Sequence, residues 1–327
     1  MKNNLSIAVD SGKYSTKARY KGGEYEDSKK IYFRTKVQEL TIGLAYDMVR
    51  GADTIEYNNK TYIIGDMVSE KKASYDVTKD TSEHLVCIYL AIAKAIEQSE
   101  IISDLNRINL AVNVPINIYQ NENLKKQYEN HVKNSKIIQI KHNGKQLNLL
   151  IENLVLLPEG MADIYTNLSK YRKSKNLVLD IGGLNTTYCI YKGIIPQIDT
   201  MVLGNTGGNI LRSKVANAIS RQYGIAVSAD DVEQIIKDSY LSKDGVVVQN
   251  SQDLIKKVLL EHVDEIINFA KSHEISFINT NVIICGGGSQ LLKKVLLTKL
   301  PNARIVEDGT YANVNSYLTV LEVKING

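Results

Sequence analysis

Two segments of the sequence pair a carboxylate with glycine in a way that suits phosphate chemistry. One reads Val9-Asp10-Ser11-Gly12-Lys13-Tyr14-Ser15-Thr16, the other Leu179-Asp180-Ile181-Gly182-Gly183-Leu184-Asn185-Thr186. Both follow the pattern Asp-x-Gly-x-x-(Ser/Asn)-Thr, about half a chain apart. A carboxylate at a strand end is held rigidly and can face Mg²⁺ directly or through its waters. Glycine two residues later lets the backbone approach an oxyanion, and successive N–H groups of a tight turn form an anion-binding nest. Either segment alone reads as well as an ordinary hairpin turn, since Asp and Gly both favour turns. Recurrence at matching positions of two halves favours two anion-binding turns that share a polyphosphate. A third cluster, Cys285-Gly286-Gly287-Gly288-Ser289, lies between a strand and a helix, where backbone can pass flat against a planar or phosphorylated ligand. The patterns GxxxxGK(S/T), GxGxxG and GxSxG are absent, which disfavours the ordinary P-loop, dinucleotide-binding and serine-hydrolase sites.

The elements that must position these residues alternate between strand and helix. Leu5 to Val9, Thr16 to Tyr20 and Lys30 to Arg34 read as strands, the last two separated by a turn at Gly22-Gly23. A hairpin with an Asn58-Asn59 turn joins Thr54 to Tyr57 with Lys60 to Ile64, inside a small inserted segment. Leu85, Ile88, Tyr89, Ile92 and Ile96 recur at helical spacing, which predicts an amphipathic helix capped by Thr81 or Ser82. Asn109 to Val114 is a strand stopped by Pro115. A polar helix runs from Gln120 to Lys133, and a hairpin turning at His142 to Lys145 runs on to Pro158. A short helix is expected near Pro158-Glu159-Gly160. The second half opens with strands at Leu177 to Ile181, Thr186 to Tyr191 and Ile194 to Leu203. Helices are expected at about 208–223, 229–239 and 254–273, a strand at 281–285, and helices at 289–300 and 314–323. This alternation predicts α/β layering.

Composition excludes several classes. The chain has 327 residues, enough for two domains, with 23% charged and 43% hydrophobic residues, so it is not disordered throughout. A formal charge of +4, spread without blocks, predicts no direct nucleic-acid surface. The densest basic runs, Lys29-Lys30 and Lys170 to Lys175, read as solvated surface. The N-terminal apolar stretch ends at Asp10, too short for a signal peptide, and Leu85 to Ala93 is about half of a membrane span. Cys87, Cys189 and Cys285 form no CxxC pair and read as buried reduced thiols, and five scattered histidines offer no zinc spacing. A cytoplasmic protein is expected.

Over nearly its whole length the chain resembles the superfamily of actins, heat-shock chaperones and sugar kinases. Within it, the chain is most similar to the plasmid-segregation actins of the ParM type. Asp10 to Lys17 resembles the first phosphate loop, Asp180-Ile181-Gly182-Gly183 the second, and Ile283 to Ser289 the adenosine motif. Leu156-Leu157-Pro158-Glu159-Gly160-Met161-Ala162 is similar to the segment that carries a catalytic glutamate. Tyr311 to Leu318 is similar to a second connecting helix, and Gly204 to Asn209 to the turn bordering the nucleoside. The second loop departs from the usual pattern, because the bulky Leu184 follows the glycines and a later Asp is missing.

The resemblance implies an actin-like, ribonuclease H-like duplicated α/β fold with two lobes and a nucleotide cleft between them. Lobe I is expected at 1–167, with core 1–35 and 78–167 and an inserted subdomain 36–77. Lobe II is expected at 168–304, with core 168–220 and 274–304 and a helical subdomain 221–273; residues 305–327 return to lobe I. It further implies an ATPase that polymerises with ATP (or GTP) and Mg²⁺, disassembles after hydrolysis, and segregates plasmid DNA through an adaptor protein. Glu159 would position or deprotonate the attacking water, with Asp10 and Asp180 orienting the waters of Mg²⁺. Nucleotide contacts are expected from Ser11, Gly12, Lys13, Tyr14, Ser15, Lys17, Gly182, Gly183, Leu184 and Asn185. Further contacts would come from Gly207, Gly208, Asn209, Glu233, Lys237, Gly286, Gly287, Gly288 and Ser289. The alternatives are a small-molecule kinase or a chaperone-like ATPase of the same superfamily that does not polymerise.

Overall fold

Apolar runs that lack polar alternation mark strands covered on both faces, and Ile7-Ala8-Val9, which leads into the first acidic turn, is of this kind. In the computed structural model, which describes residues 4–22, 27–40, 51–69, 81–99, 103–134 and 136–327, β1 (Asn4–Ser11) pairs antiparallel with β2 (Ser15–Lys21). β2 continues to β3 (Lys29–Arg34). β4 (Val37–Glu39), β5 (Asp53–Tyr57) and β6 (Lys60–Ile64) follow, then α1 (Ser82–Ser99), β7 (Asn106–Val114), α2 (Ile116–Tyr119) and α3 (Glu122–Lys133). β8 (Ile138–His142) and β9 (Lys145–Pro158) complete a nine-stranded sheet of order β3-β2-β1-β7-β9-β8-β5-β6-β4. Gly23 of the expected turn and residues 41–50 and 70–77 of the expected insertion lie outside the described residues.

The second half contains α4 (Leu168–Tyr171), β10 (Lys175–Ile181), β11 (Thr186–Lys192) and β12 (Ile195–Gly204). Next come α5 (Gly208–Tyr223), α6 (Ala229–Asp238), the small hairpin β13 (Ser242–Lys243) and β14 (Val246–Val247), and α7 (Ser251–Ser272). β15 (Asn281–Cys285), α8 (Gly287–Leu291), α9 (Lys293–Lys299), β16 (Arg304–Ile305) and α10 (Ala312–Asn326) close the chain. Contacts divide it into two units, 1–166 with 311–327, and 167–310. In the second unit the sheet order is β12-β11-β10-β15-β16. β1 lies between antiparallel β2 and parallel β7, and β10 between antiparallel β11 and parallel β15, so both units repeat one scheme.

Each unit has its own core. In the first, α1 packs against β1 and β2 as well as β5 and β8. It is therefore buried from His84 through Ala93 rather than amphipathic, and Cys87 lies inside it. On the opposite face of the sheet Ala8, Ala111, Val155 and Leu157 meet Val314, Tyr317, Leu318 and Leu321 of α10. Between them β9 carries a bulge, because Ile108 pairs with Ile151 but Asn109 pairs with Asn153. The extra residue reverses the sheet faces: Leu147, Leu149 and Ile151 join the core around α1, whereas Val155 and Leu157 join the cluster under α10. In the second unit α5, α6, α7 and α9 cover Leu177, Leu179, Ile181 and Ile284. The expected helix at 289–300 is two helices, broken at Leu292.

Candidate functional site

Parallel strands that end together present consecutive loops at one edge, which is where α/β proteins place their ligands. In the first unit β1, β7 and β9 run parallel, with Val9 beside Val112, Asn113 beside Leu157 and Val114 beside Pro158. Their carboxyl ends carry Asp10, Asn113 and Glu159 as neighbours. Asn113 Nδ2 donates to Asp10 Oδ1 at 2.8 Å and to Glu159 Oε1 at 3.3 Å. Lys17, the cross-strand partner of Asp10, holds its Nζ 3.6 Å from Asp10 Oδ2. Asp10, Ser11 and Ser15 are buried. A Cβ on Gly12 would stand 3.1 Å from the Ser15 carbonyl oxygen, so the turn is tight there. Ser11 and Thr16 hydroxyls lie 3.4 Å apart behind it. The Tyr14 carbonyl accepts from Thr35 N and Arg34 Nε, and the Arg34 guanidinium sits 3.8 Å over the Tyr14 ring. Lys13 and Tyr14 are thereby carried on a turn fastened at both ends.

The expected short helix at Glu159 does not form. Gly160 at φ +73° and Ala162 at φ +47° are left-handed, which an α-helix cannot continue through. Glu159 is instead the first residue beyond β9, and α10 fastens the residues on either side of it. Asn313 Oδ1 accepts from Ala162 N at 2.9 Å, Ser316 Oγ donates to the Ala162 carbonyl at 2.8 Å, and Tyr317 OH donates to the Pro158 carbonyl at 3.0 Å.

In the second unit Asp180, the last residue but one of β10, lies beside Cys285 of β15. Gly182 N donates to the Asn185 carbonyl at 2.9 Å and closes the turn. Gly207, Gly208 and Asn209 then donate their N–H groups to the carbonyls of Leu184, Gly182 and Gly183, at 3.0, 2.9 and 2.7 Å. The start of α5 is thus spent on holding the turn, so those three residues support the nest. A Cβ on Gly207 would stand 2.3 Å from the Leu184 carbonyl carbon. Behind them the Thr206 carbonyl accepts from Thr186 Oγ1 at 3.2 Å and from His262 Nε2 at 3.1 Å. His262 is fully buried on α7; burial first, then the Lys214 charge, lowers its pKa to about 4. It is neutral near pH 7, with its proton on Nε2 by this bond.

The glycine cluster closes on the same strand end. Gly286, at φ +85°, leaves room for no side chain, since a Cβ would lie 2.4 Å from the Ile181 carbonyl oxygen and 2.5 Å from Asp180 Oδ1. A Cβ on Gly288 would press on Ile181 Cγ2 at 2.5 Å, whereas Gly287 faces open space. Ser289 is buried and donates to the Gly286 carbonyl at 2.7 Å. Glu233 and Lys237 pair at 3.0 Å on α6. Arg212 of α5 joins them to the turn, with Nη2 on Glu233 Oε2 at 2.8 Å and Nη1 on Asn209 Oδ1 at 3.0 Å. Burial pushes the Glu233 carboxyl up, but Lys237 and Arg212 outweigh it and hold its pKa below the ordinary value. Asn113, Arg212 and His262 are not among the residues expected from sequence. Asn113 had one local signal, a polar residue inside a strand two places before Pro115.

Residues 8–161 match the family model of the actin like proteins N terminal domain. No curated protein sequence matches the chain. Among solved structures it is similar to the Alp12 filament, with 22% identity, a TM-score of 0.72 and 99% of each chain covered. It is similar also to the archaeal actin homologue Ta0583 in complex with ADP, at 17% identity, TM-score 0.74 and coverage of 98% and 99%. A 15-stranded ParM filament from Clostridium botulinum gives 19%, 0.71, and coverage of 98% and 99%. The duplicated strand scheme, the acidic turn that ends the first strand of each copy, and these matches agree: residues 8–161 form an actin-like N-terminal domain, and the chain as a whole has the actin-like fold.

Proposed function

We propose that this protein is an actin-like nucleoside triphosphatase of the plasmid-segregation type. It assembles into filaments with ATP or GTP and Mg²⁺, disassembles after hydrolysis, and engages DNA only through an adaptor protein. The observation that carries this reading is the doubled scheme in which β1 and β10 each carry a buried aspartate as their last residue but one, followed by a glycine turn. Both turns offer backbone N–H groups to phosphate oxygens, and Lys17 adds a positive charge beside the first. Family resemblance supports hydrolysis, and the filament neighbours support self-assembly; a head-to-tail contact that does not close gives a helical polymer.

The donor set fits a hard divalent cation. Asp10 and Asp180 provide carboxylate oxygens at strand ends, and among the described residues no group of three His, Cys, Asp or Glu side chains could hold a metal alone. The ion would therefore be bound together with phosphate oxygens and water, and when bound it neutralises charge on the phosphates. Glu159 has the task of orienting the attacking water and taking its proton, while Lys17 and the glycine turns hold the phosphates in line and Asp10 would orient the waters of the ion. Light scattering and negative-stain microscopy on adding Mg-ATP or Mg-GTP test the reading. Filaments that shorten as phosphate is released are expected; hydrolysis that requires a sugar or polyol, or no assembly with either nucleotide, would overturn it. Glu159→Ala is expected to bind nucleotide, release phosphate at least about 100-fold more slowly and prolong the filaments.

A further inference from the structure

Asn113 lies at the end of β7 with 2% of its surface exposed, and both protons of its amide are committed to carboxylates. Only this orientation of the amide is tenable, because the flipped form would set its oxygen against two acids. Its Oδ1 is buried and accepts no hydrogen bond from any described residue. A buried acceptor without a donor is costly, so the site is built to receive an O–H or N–H from something that enters it. The neighbours indicate what enters. Asp10 begins the phosphate turn and Glu159 is the proposed water-directing acid, and both are held by the amide that carries Oδ1.

We propose that Asn113 is the positioning residue of the hydrolytic site, holding Glu159 in register with Asp10 through its amide group and accepting a hydrogen from the attacking water at Oδ1. This rests on the reading of the protein as a nucleotide hydrolase. Two carboxylates as close as Asp10 and Glu159 repel one another, and the shared amide replaces that repulsion by two charge-assisted hydrogen bonds. Asn113 takes Glu159 through Oε1, which fixes the plane of the carboxyl group. A water that donates one proton to Glu159 and the other to Asn113 Oδ1 has both protons fixed and its lone pairs turned away from the two acceptors, which is what in-line attack needs. Lys17 extends the row on the other side, so the chain of contacts runs Lys17, Asp10, Asn113, Glu159.

The test is a double-mutant cycle on the full chain. Asn113→Ala, Asn113→Ser, Glu159→Ala and the Asn113→Ala/Glu159→Ala pair are compared in phosphate release, in affinity for a fluorescent ATP analogue, and in nucleotide-free melting temperature. Asn113→Ala is expected to slow phosphate release about 30- to 100-fold while affinity changes less than about threefold. Asn113→Ser, which keeps a donor and an acceptor, is expected to recover part of the rate. In the Glu159→Ala background the second substitution is expected to slow release by less than about twofold, because Asn113 then has no carboxylate to position and the water it helps to hold has lost its base. A multiplicative effect there, or a loss of affinity as large as the loss of rate, would assign Asn113 a purely structural role. If the alanine variant does not fold, the same cycle is run with Asn113→Ser, with the same two overturning outcomes. A wild-type protein that releases no phosphate from ATP or GTP removes the hydrolase reading and this inference together. A hydrolysing wild type with an equally fast Asn113→Ala removes this inference alone.

Discussion

Gly286 and Gly287 are sequence neighbours under opposite constraints, and they show how far single residues can be read from sequence. Gly286 is left-handed and its missing Cβ leaves room for the Ile181 carbonyl and the Asp180 carboxylate, whereas a Cβ on Gly287 meets nothing within 4 Å. Gly286→Ala should therefore lose at least about 3 kcal/mol in urea denaturation and weaken nucleotide binding by displacing Asp180. Gly287→Ala should change stability by less than about 1 kcal/mol. The cluster is visible in the sequence, but which glycine is obligatory depends on how close β10 passes. Asp10 and Asp180 stand out in the sequence because acid, glycine and strand recur in one order, whereas Glu159 stands out only through the family resemblance of the segment around it. Asn113 offers only its place inside a strand two residues before Pro115, and Arg212 offers nothing, since a lone Arg has no such order around it. Their contacts arise when β7 ends between β1 and β9, and when α5 lies against α6.

At the level of elements, most strands and helices were legible within a few residues, and the exceptions have physical causes. Helical spacing in α1 gave its existence, but its burial comes from sheet on more than one side, which periodicity does not report. The helix expected at Glu159 fails on two left-handed residues, Gly160 and Ala162, of which only the glycine carries a warning. The joint between β5 and β8 is a further case. His142 is buried there with Nδ1 3.0 Å from Glu97 Oε1 and Nε2 3.4 Å from Asp53 Oδ1, and Lys94 Nζ lies 2.8 Å from Asp53. Burial pushes the His142 pKa down, but Asp53 and Glu97 prevail and raise it above the ordinary 6.5. The folded form then holds a proton that the unfolded chain releases, so this contribution is complete below pH 6.5 and is lost as pH rises through the raised value. His142→Asn should flatten that slope in urea midpoints taken between pH 6 and 8.

Across the whole molecule the second unit responds to acid in the contrary sense. His262 titrates at about 4 when folded and near 6.5 when unfolded, so the unfolded chain binds more protons between these values. Stability should thus be full above pH 6.5 and fall between pH 6.5 and 4 by up to about 3 kcal/mol. Calorimetry of wild type and His262→Gln over that range should show the slope in the wild type only; equal slopes would mean that His262 is not the group responsible. The duplicated scheme itself was legible as a repeat of acid and glycine, whereas the return of the C-terminal segment was expected from the family resemblance alone; residues 311–327 belong to the first unit, where α10 packs on Ala8 and Ala111. That return sets an order of events during synthesis. Asn313, Ser316 and Tyr317, which latch the stretch from Pro158 to Ala162, leave the ribosome only after all of residues 167–310. A nascent chain therefore stays without a secured Glu159 until its second unit has emerged.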